Sequence, residues 1–432
     1  MPLNLPLNAG SIAPPPNIRA DNDLAIGLAF SGGGTRAAAF AFGVLRGLER
    51  IRAGATATAL DRVEFISGVS GGSITAAYYG LRGKQALGDF RERFLIRDAE
   101  ADLRTDFSLG SLVEGINGGV NQAPRLSGWL DRNLFAEATM KELLKSSRPV
   151  IWINASDLYH RTPFVFSQTV FRELCSDLGQ YPISLAVAAS AAVPVAFSPI
   201  VLEAYPQSCA AEPPRWIGQV LANQNSGAQV KAFARALTDY RNPDIVQYLK
   251  LADGGLTDNY GLSGLVIARS AATEPYAPLT DREAVKLRNV VFILVNAGQG
   301  AKGEWSHTIN GPSGAELLAA ITDTAIDSSV RSGFDAFRLT IREWENAIRS
   351  WRCKLTSGEA RKLGAREGWQ CKDITFKITE VSFDQSDNSA RLSSIPTRFK
   401  LPEADVDLLI RSGESIVAAD PTLNSISAGE HR

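Results

Sequence analysis

The chain has 432 residues, 45% apolar and 21% charged, enough to build a substantial buried core. Its 45 basic and 46 acidic residues leave a formal net charge of -1, which speaks against a dedicated nucleic-acid binder. Neutralising phosphates needs a basic excess or stripe. No apolar stretch reaches the length of a membrane-spanning helix, so none is expected.

Residues 1–22, with Pro2, Pro6 and Pro14-Pro15-Pro16, read as an extended arm. The first residues, Met1 to Pro6, carry neither the basic nor the apolar region of a signal peptide, so none is expected there. Leu24–Phe30 reads as a buried strand that runs into Ser31-Gly32-Gly33-Gly34-Thr35-Arg36, with a small-residue helix over 37–48. A second strand over 63–66 leads into Gly68-Val69-Ser70-Gly71-Gly72 and a helix reaching residue 80. Residues 84–148 read as mostly helical, interrupted by glycines near 110–119. Strands are predicted at 150–154 and 162–166, and a helix over 184–192 ends before Pro194. Residues 213–247 are polar and partly helical, an insertion or cap that feeds a short strand at 248–252.

Val290–Asn296 is rich in β-branched residues and reads as an interior strand. Helix is expected over 313–350 and an alternating, half-exposed strand over 375–383. Length alone allows two or three domains. The even spread of elements favours one α/β domain over 23–400, with insertions near 84–148 and 213–247. A C-terminal helix (402–418) and polar tail then occupy 401–432. Buried runs alternating with helices indicate a mainly parallel sheet covered on both faces.

Strand, Gly-x-Ser-x-Gly, helix is the arrangement of a nucleophile elbow, with Ser70 on the turn and Gly68 and Gly72 letting strand and helix approach closely. The turn sets the hydroxyl at the positive end of a helix. Gly32, Gly33 and Gly34 occupy a similar strand-to-helix junction. Backbone without side chains can aim several N–H groups at one developing anion there. Arg36 either anchors this loop or adds positive potential. A phosphate-binding P-loop is set aside because Gly-Lys-Ser/Thr is missing.

Histidine is the usual base, and the chain has three. His431 lies next to the C-terminus, His307 sits in a polar loop, and His160 reads as a surface or strand-edge residue. Asp253, at a strand end before Gly254-Gly255, can instead project across a crevice toward the serine. A carboxylate there needs apolar surroundings to raise its pKa toward neutrality. Turn capping is the competing role for an Asp-Gly pair.

Together these blocks resemble the patatin-like phospholipase family, whose catalytic centre is a Ser-Asp dyad without histidine. Gly32-Gly33-Gly34-Thr35-Arg36 is similar to its oxyanion motif, Gly68-Val69-Ser70-Gly71-Gly72 to its elbow, and Asp253-Gly254-Gly255 to its base motif. Ala189-Ser190-Ala191-Ala192-Val193-Pro194-Val195-Ala196-Phe197-Ser198-Pro199 is similar to its Ala-Ser-x-Ala-x-Pro-x-x-Phe-x-Pro block. One position departs: the family's glycine loop commonly continues Arg-Gly, and here Ala37 follows Arg36. The likeness spans 32–255 and extends to about residue 300.

The resemblance implies a three-layer α/β/α fold and a serine lipid acyl hydrolase, of phospholipase A or lysophospholipase type. It implies Ser70 and Asp253 as catalytic residues, and Gly32, Gly33, Gly34 and Arg36 as the oxyanion loop. The substrate is then a phospholipid, lysophospholipid or neutral lipid, and no cofactor or metal is implied. An acyltransferase, or a catalytically silent lipid-binding protein on the same scaffold, is the alternative.

Peripheral membrane contact is a further expectation, carried by the insertions at 84–148 and 213–247. Phe40, Phe42, Tyr78, Tyr79 and Phe197 are either an acyl pocket or core. The compartment stays open between cytoplasmic and exported, and so does the oligomeric state. Cys175, Cys209, Cys353 and Cys371 show no metal-ligand spacing and are expected as free thiols. Their order also permits two pairs, which would mark an exported protein. Gly298-Gln299-Gly300-Ala301-Lys302-Gly303 satisfies a dinucleotide fingerprint after the strand at 290–296 but lacks the helix start that should follow it.

Overall fold

A computed structural model describes residues 3–8, 23–103, 123–145, 149–194, 197–209, 211–300 and 304–428. In chain order, β1 (Leu24–Phe30) leads into α1 (Gly34–Arg50), and β2 (Val63–Val69) into α2 (Gly71–Arg82). Short helices lead to β3 (Val150–Asp157) and its hairpin partner β4 (Thr162–Val165). Next come α3 (Ile183–Ser190), β5 (Ile200–Glu203), α4 (Arg215–Ala222), α5 (Ala228–Asp239), β6 (Tyr248–Asp253) and α6 (Ser263–Ser270). The chain continues through β7 (Asn289–Asn296), α7 (Gly314–Arg352), β8 (Thr375–Ser382), α8 (Glu403–Ala419) and α9 (Pro421–Ala428).

The strands form one sheet in the order β5-β6-β3-β2-β1-β7-β8, with β4 pairing β3 off that path. Pairs among β3, β2, β1, β7 and β8 are parallel, whereas β4, β5 and β6 pair antiparallel. Period-two alternation divides the side chains between two cores. Leu24, Ile26, Leu28 and Phe30 of β1 join Val291, Ile293 and Val295 of β7 under α1, α2, α3 and α8. Ala25 and Ala29 join Val290, Phe292 and Leu294 under α6 and α7 on the opposite face. The fold is a three-layer α/β/α arrangement around a mainly parallel sheet.

Several details differ from the sequence expectation. β5 follows Pro199 and was not expected. α9 occupies the region read as a polar tail: Asp420 caps it, its Oδ1 accepting the Leu423 N–H at 2.9 Å, with Pro421 as the first helical residue. Within the expected arm, the Asn4 side chain is buried, and it donates to Ser176 Oγ at 3.0 Å and to the Glu203 carbonyl at 2.8 Å. Residues 9–22, the glycine-rich stretch at 110–119 and Ala301–Gly303 lie outside the described residues. After β7, Glu304–His307 forms a 3-10 turn and helix resumes only at Gly314, not the helix start a dinucleotide site needs.

Free thiols are also corrected: Cys175 bonds Cys209, and Cys353 bonds Cys371. Each pair is held together by tertiary structure. The Leu7 N–H donates to the Cys175 carbonyl and the Tyr205 N–H, just beyond β5, to the Leu174 carbonyl, while Arg352 pairs with Asp373 near the second bond. Replacing Cys353 and Cys371 with serine opens a loop of sequence separation 18. The double variant is expected to lose about 3 kcal/mol of stability in denaturant unfolding.

Candidate active site

The site is assembled by strand register. On one edge of β3, Val69 of β2 pairs with Asn154, and the next position, Ala155, pairs with Asp253 of antiparallel β6. β4 occupies the opposite edge over the same residues. The ends of β2 and β6 therefore meet head to head along β3, which sets Ser70 and Asp253 side by side although they are far apart in sequence. β1 ends beside β2, Phe30 opposite Gly68, so the glycine loop lies against the elbow. Open α/β sheets bind ligands at this carboxyl end of their strands.

Ser70 takes φ 50 and ψ -121, a region that non-glycine residues seldom occupy. Its N–H donates to Ser190 Oγ at 2.8 Å, and its carbonyl receives the Ser73 hydroxyl at 2.6 Å. The flanking glycines make the turn sterically possible. A Cβ at Gly68 would lie 2.7 Å from the Ser73 Cα, and one at Gly72 would lie 2.6 Å from the Phe30 carbonyl oxygen. Asn154 Nδ2 donates to Ser67 Oγ at 2.8 Å and to the Gly68 carbonyl at 2.9 Å, fixing the end of β2. Ser190, Asn154 and Asn259 were not singled out as site residues from sequence.

The Asp253 carboxyl is buried. Its Oδ1 accepts the Gly255 N–H at 2.8 Å, and the Ser70 side chain lies near enough to favour its ionised form. Burial pushes its pKa up to about 6, against the opposing pull of the Gly255 N–H and the Ser70 side chain. Ser70 and Asp253 are only 4% and 6% exposed, so both side chains are screened from water.

The Gly32 N–H is taken up by Asn259, through the backbone carbonyl at 3.2 Å and Oδ1 at 3.1 Å, which ties the start of the glycine loop to the segment after β6. Gly33 and Gly34 adopt φ 137 and 59 at the start of α1, where the first N–H groups of a helix have no intrahelical partner. Ala37, the departure from the Arg-Gly pattern, is helical and packs without strain in α1.

Of the two roles open to Arg36 in sequence, its contacts are those of an anchor. Its Nε and Nη1 donate to the carbonyls of Ala297 and Ile395, both at 2.9 Å. Burial pulls its pKa down to about 9, opposed by Asp323, so the buried cation persists at neutral pH. Arg36→Met strands both carbonyls in the interior and is expected to cost about 3 kcal/mol in chemical denaturation. The surviving folded fraction should retain its turnover per site. A fall in turnover at unchanged stability would return Arg36 to the chemistry.

The histidines sit elsewhere. His160 Nδ1 meets Asp157 Oδ2 at 2.6 Å and Nε2 meets Asp239 Oδ2 at 3.3 Å, so both ring nitrogens are engaged. Burial alone would lower its pKa, but the two carboxylates outweigh it and raise it. His307 is exposed, and His431 lies outside the described residues.

Phe40, Phe42, Tyr78, Tyr79 and Phe197 are all buried core, with Phe42 and Tyr78 both packed on Phe90. An apolar cavity of about 280 Å³ lies along the N-terminal half of β3, between Ile151, Trp152, Phe166, Trp216 and Ile267, and neither Ser70 nor Asp253 lines it. Among the described residues, no group of three or more His, Cys, Asp or Glu side chains could hold a metal ion. No helix there is long and apolar enough to cross a membrane.

A family model described as patatin-like phospholipase matches residues 28–266. No curated protein sequence matches the chain significantly. Among solved structures, the chain is similar to human GIVD cytosolic phospholipase A2 at a TM-score of 0.45 and 11% identity, over 94% of this chain and 63% of that one. The same human protein in complex with methyl gamma-linolenyl fluorophosphonate and terbium chloride gives a TM-score of 0.41 and 13% identity, over 95% and 60% of the two chains. The chain thus spans about three fifths of the length of these structures.

Proposed function

The chain belongs to the patatin-like phospholipase family, and on that premise we propose that it is a serine lipid acyl hydrolase of phospholipase A or lysophospholipase type, with Ser70 as nucleophile and Asp253 as base. The observation that carries this reading is that strand register sets a buried Ser70, on a strained turn, beside a buried Asp253 carboxyl of raised pKa, with His160 already engaged by two carboxylates.

Asp253 takes the Ser70 proton as Oγ attacks the acyl carbonyl. The backbone N–H groups of Gly33 and Gly34, at the positive end of α1, are the donors available to the oxyanion, with the elbow helix α2 supporting it. One such donor is worth roughly 3–4 kcal/mol of barrier. The protonated Asp253 then gives its proton to the departing alkoxide, a lyso-lipid or glycerol derivative. Water, deprotonated by the same carboxylate, releases the fatty acid and restores Ser70. No step needs a metal or cofactor. The two disulfides suit an oxidising compartment, so we place the protein outside the reducing cytoplasm.

The test is to trap the acyl-enzyme stage. Purified protein is treated with an alkyl fluorophosphonate, digested, and mapped by mass spectrometry, in parallel with fatty-acid release from phosphatidylcholine and lysophosphatidylcholine. A single adduct on Ser70 that blocks release supports the reading. An adduct elsewhere, or full release from labelled protein, refutes it. Added alcohol appearing in the product as a new ester would move the assignment to acyl transfer.

A further inference from the structure

We propose that Ser190 is a positioning residue for this reaction, fixing nucleophile and base relative to each other by tying the elbow and the base turn to one point on β3. The inference rests on the Ser70–Asp253 reading above and extends it to a residue that touches neither substrate nor the transferred proton.

Ser190 is the last residue of α3 and is fully buried. Its hydroxyl donates to the Asn154 carbonyl at 2.5 Å, which commits its only proton. The oxygen is left with lone pairs, and one of them accepts the Ser70 N–H at 2.8 Å. The same residue's backbone carbonyl accepts the Gly254 N–H at 3.2 Å, and two residues on, the Ala192 carbonyl accepts the Asp253 N–H at 2.8 Å. The end of α3 therefore grips the elbow by a side chain and the base turn by two carbonyls. Asn154, which receives the Ser190 proton, is the position on β3 where pairing with β2 stops, and pairing with β6 begins at the next residue.

This matters because Ser70 holds a backbone conformation that persists only when its surroundings over-determine it. Without the Ser190 hydroxyl, the Ser70 N–H and the Asn154 carbonyl both lose a buried partner. The turn is then free to relax and to carry Oγ away from the carboxyl. Proton transfer and attack are steep functions of such displacements. Burial, the Gly255 N–H and the Ser70 hydroxyl set the ionisation of Asp253, and no charged side chain contributes. Moving the Ser70 hydroxyl away weakens one of the two influences that hold its pKa down.

The experiment compares Ser190→Ala, Ser190→Cys and Ser184→Ala with the wild-type chain. Ser184 is an equally buried serine of the same helix, hydrogen-bonded to Asp131 Oδ2 at 2.8 Å and away from the elbow. Circular dichroism and thermal melting establish that each variant is folded at the assay temperature. Ser190→Ala is expected to lose roughly 10–100-fold in kcat with KM changed by less than about threefold. The acid limb of its pH profile should move to higher pH. Ser190→Cys, similar in volume with a weaker acceptor, should fall between it and wild type, and it carries the test if the alanine variant does not fold. Ser184→Ala should match wild type.

A folded Ser190→Ala with kcat within twofold of wild type and an unmoved acid limb overturns the proposal. So does an equal loss in Ser184→Ala. Activity that survives Ser70→Ala overturns the dyad itself, an outcome these Ser190 measurements cannot imitate.

Discussion

Ser70→Ala is expected to abolish acyl-ester hydrolysis, with a fall in kcat of roughly 10⁴–10⁶-fold, and to remove labelling by fluorophosphonate at the same time. The hydroxyl is the only group on the elbow that can form the acyl-enzyme, and losing it leaves water to attack without covalent help. The fold should be intact, because the hydrogen bonds that hold the turn use the Ser70 backbone: its N–H to Ser190 and its carbonyl to Ser73. Ser70→Gly separates chemistry from strain. Glycine adopts φ 50 and ψ -121 without penalty, so this variant should be equally inactive but more stable than Ser70→Ala by about 1–3 kcal/mol. Equal stability of the two would mean that the turn stores no strain. Residual turnover above about 1% of wild type in either variant would remove Ser70 from the mechanism.

The blocks that carry this expectation were visible in sequence because glycine and serine advertise backbone geometry. Gly68, Gly72 and the run Gly32–Gly34 mark places where a Cβ would collide or where φ turns positive, and those needs are local. The interior strands β1, β2 and β7 were equally legible, since burial on both faces leaves a continuous apolar run. What was not legible depends on partners distant in the chain. Gly32 is compatible with an oxyanion donor until Asn259, 227 residues away, takes its N–H. Arg36 reads in sequence as either an anchor or a source of positive potential, and it is a clamp in the structure because the end of β7 and the segment at Ile395 present it with carbonyls.

Ser190 reads as one more small residue in a small-residue helix, and only the register of β3 shows what it holds. The cysteine pairs belong to the same class, fixed by where tertiary structure brings the thiols. β5 is too short, at four residues, to show a period. α9 is different: Asp420-Pro421 is a local start signal, a capping side chain followed by proline in the first turn, set among polar residues that otherwise read as a tail.

The acid limb of the wild-type pH profile should rise with a midpoint near 6, because the proposed base, Asp253, can accept a proton only when ionised and its buried carboxyl has been pushed up to about 6. Asp253→Asn is expected to remove that limb together with roughly 10²–10⁴-fold of kcat. The same shift has a consequence for stability. An acid whose folded pKa lies above its unfolded value of 3.8 binds its proton more tightly in the native state. The native state therefore loses stability as pH rises from about 3.8 to about 6, and the loss is complete above that. A shift of this size corresponds to about 3 kcal/mol.

Asparagine carries no such charge, and its side-chain oxygen can still accept the Gly255 N–H. Asp253→Asn should thus match wild type in denaturant unfolding near pH 3.5 and exceed it at pH 7.5, while turning over far more slowly. Constant relative stability across that range would mean that the carboxyl is not desolvated and has no raised pKa. Full activity in Asp253→Asn, with loss in His160→Ala, would transfer the base role to the imidazole. With activity lost in Asp253→Asn and kept in His160→Ala, the gain in stability marks the cost of keeping an ionised carboxylate dry beside a serine, the condition the proposed dyad needs for an acid of ordinary pKa near 4 to work as a base at neutral pH.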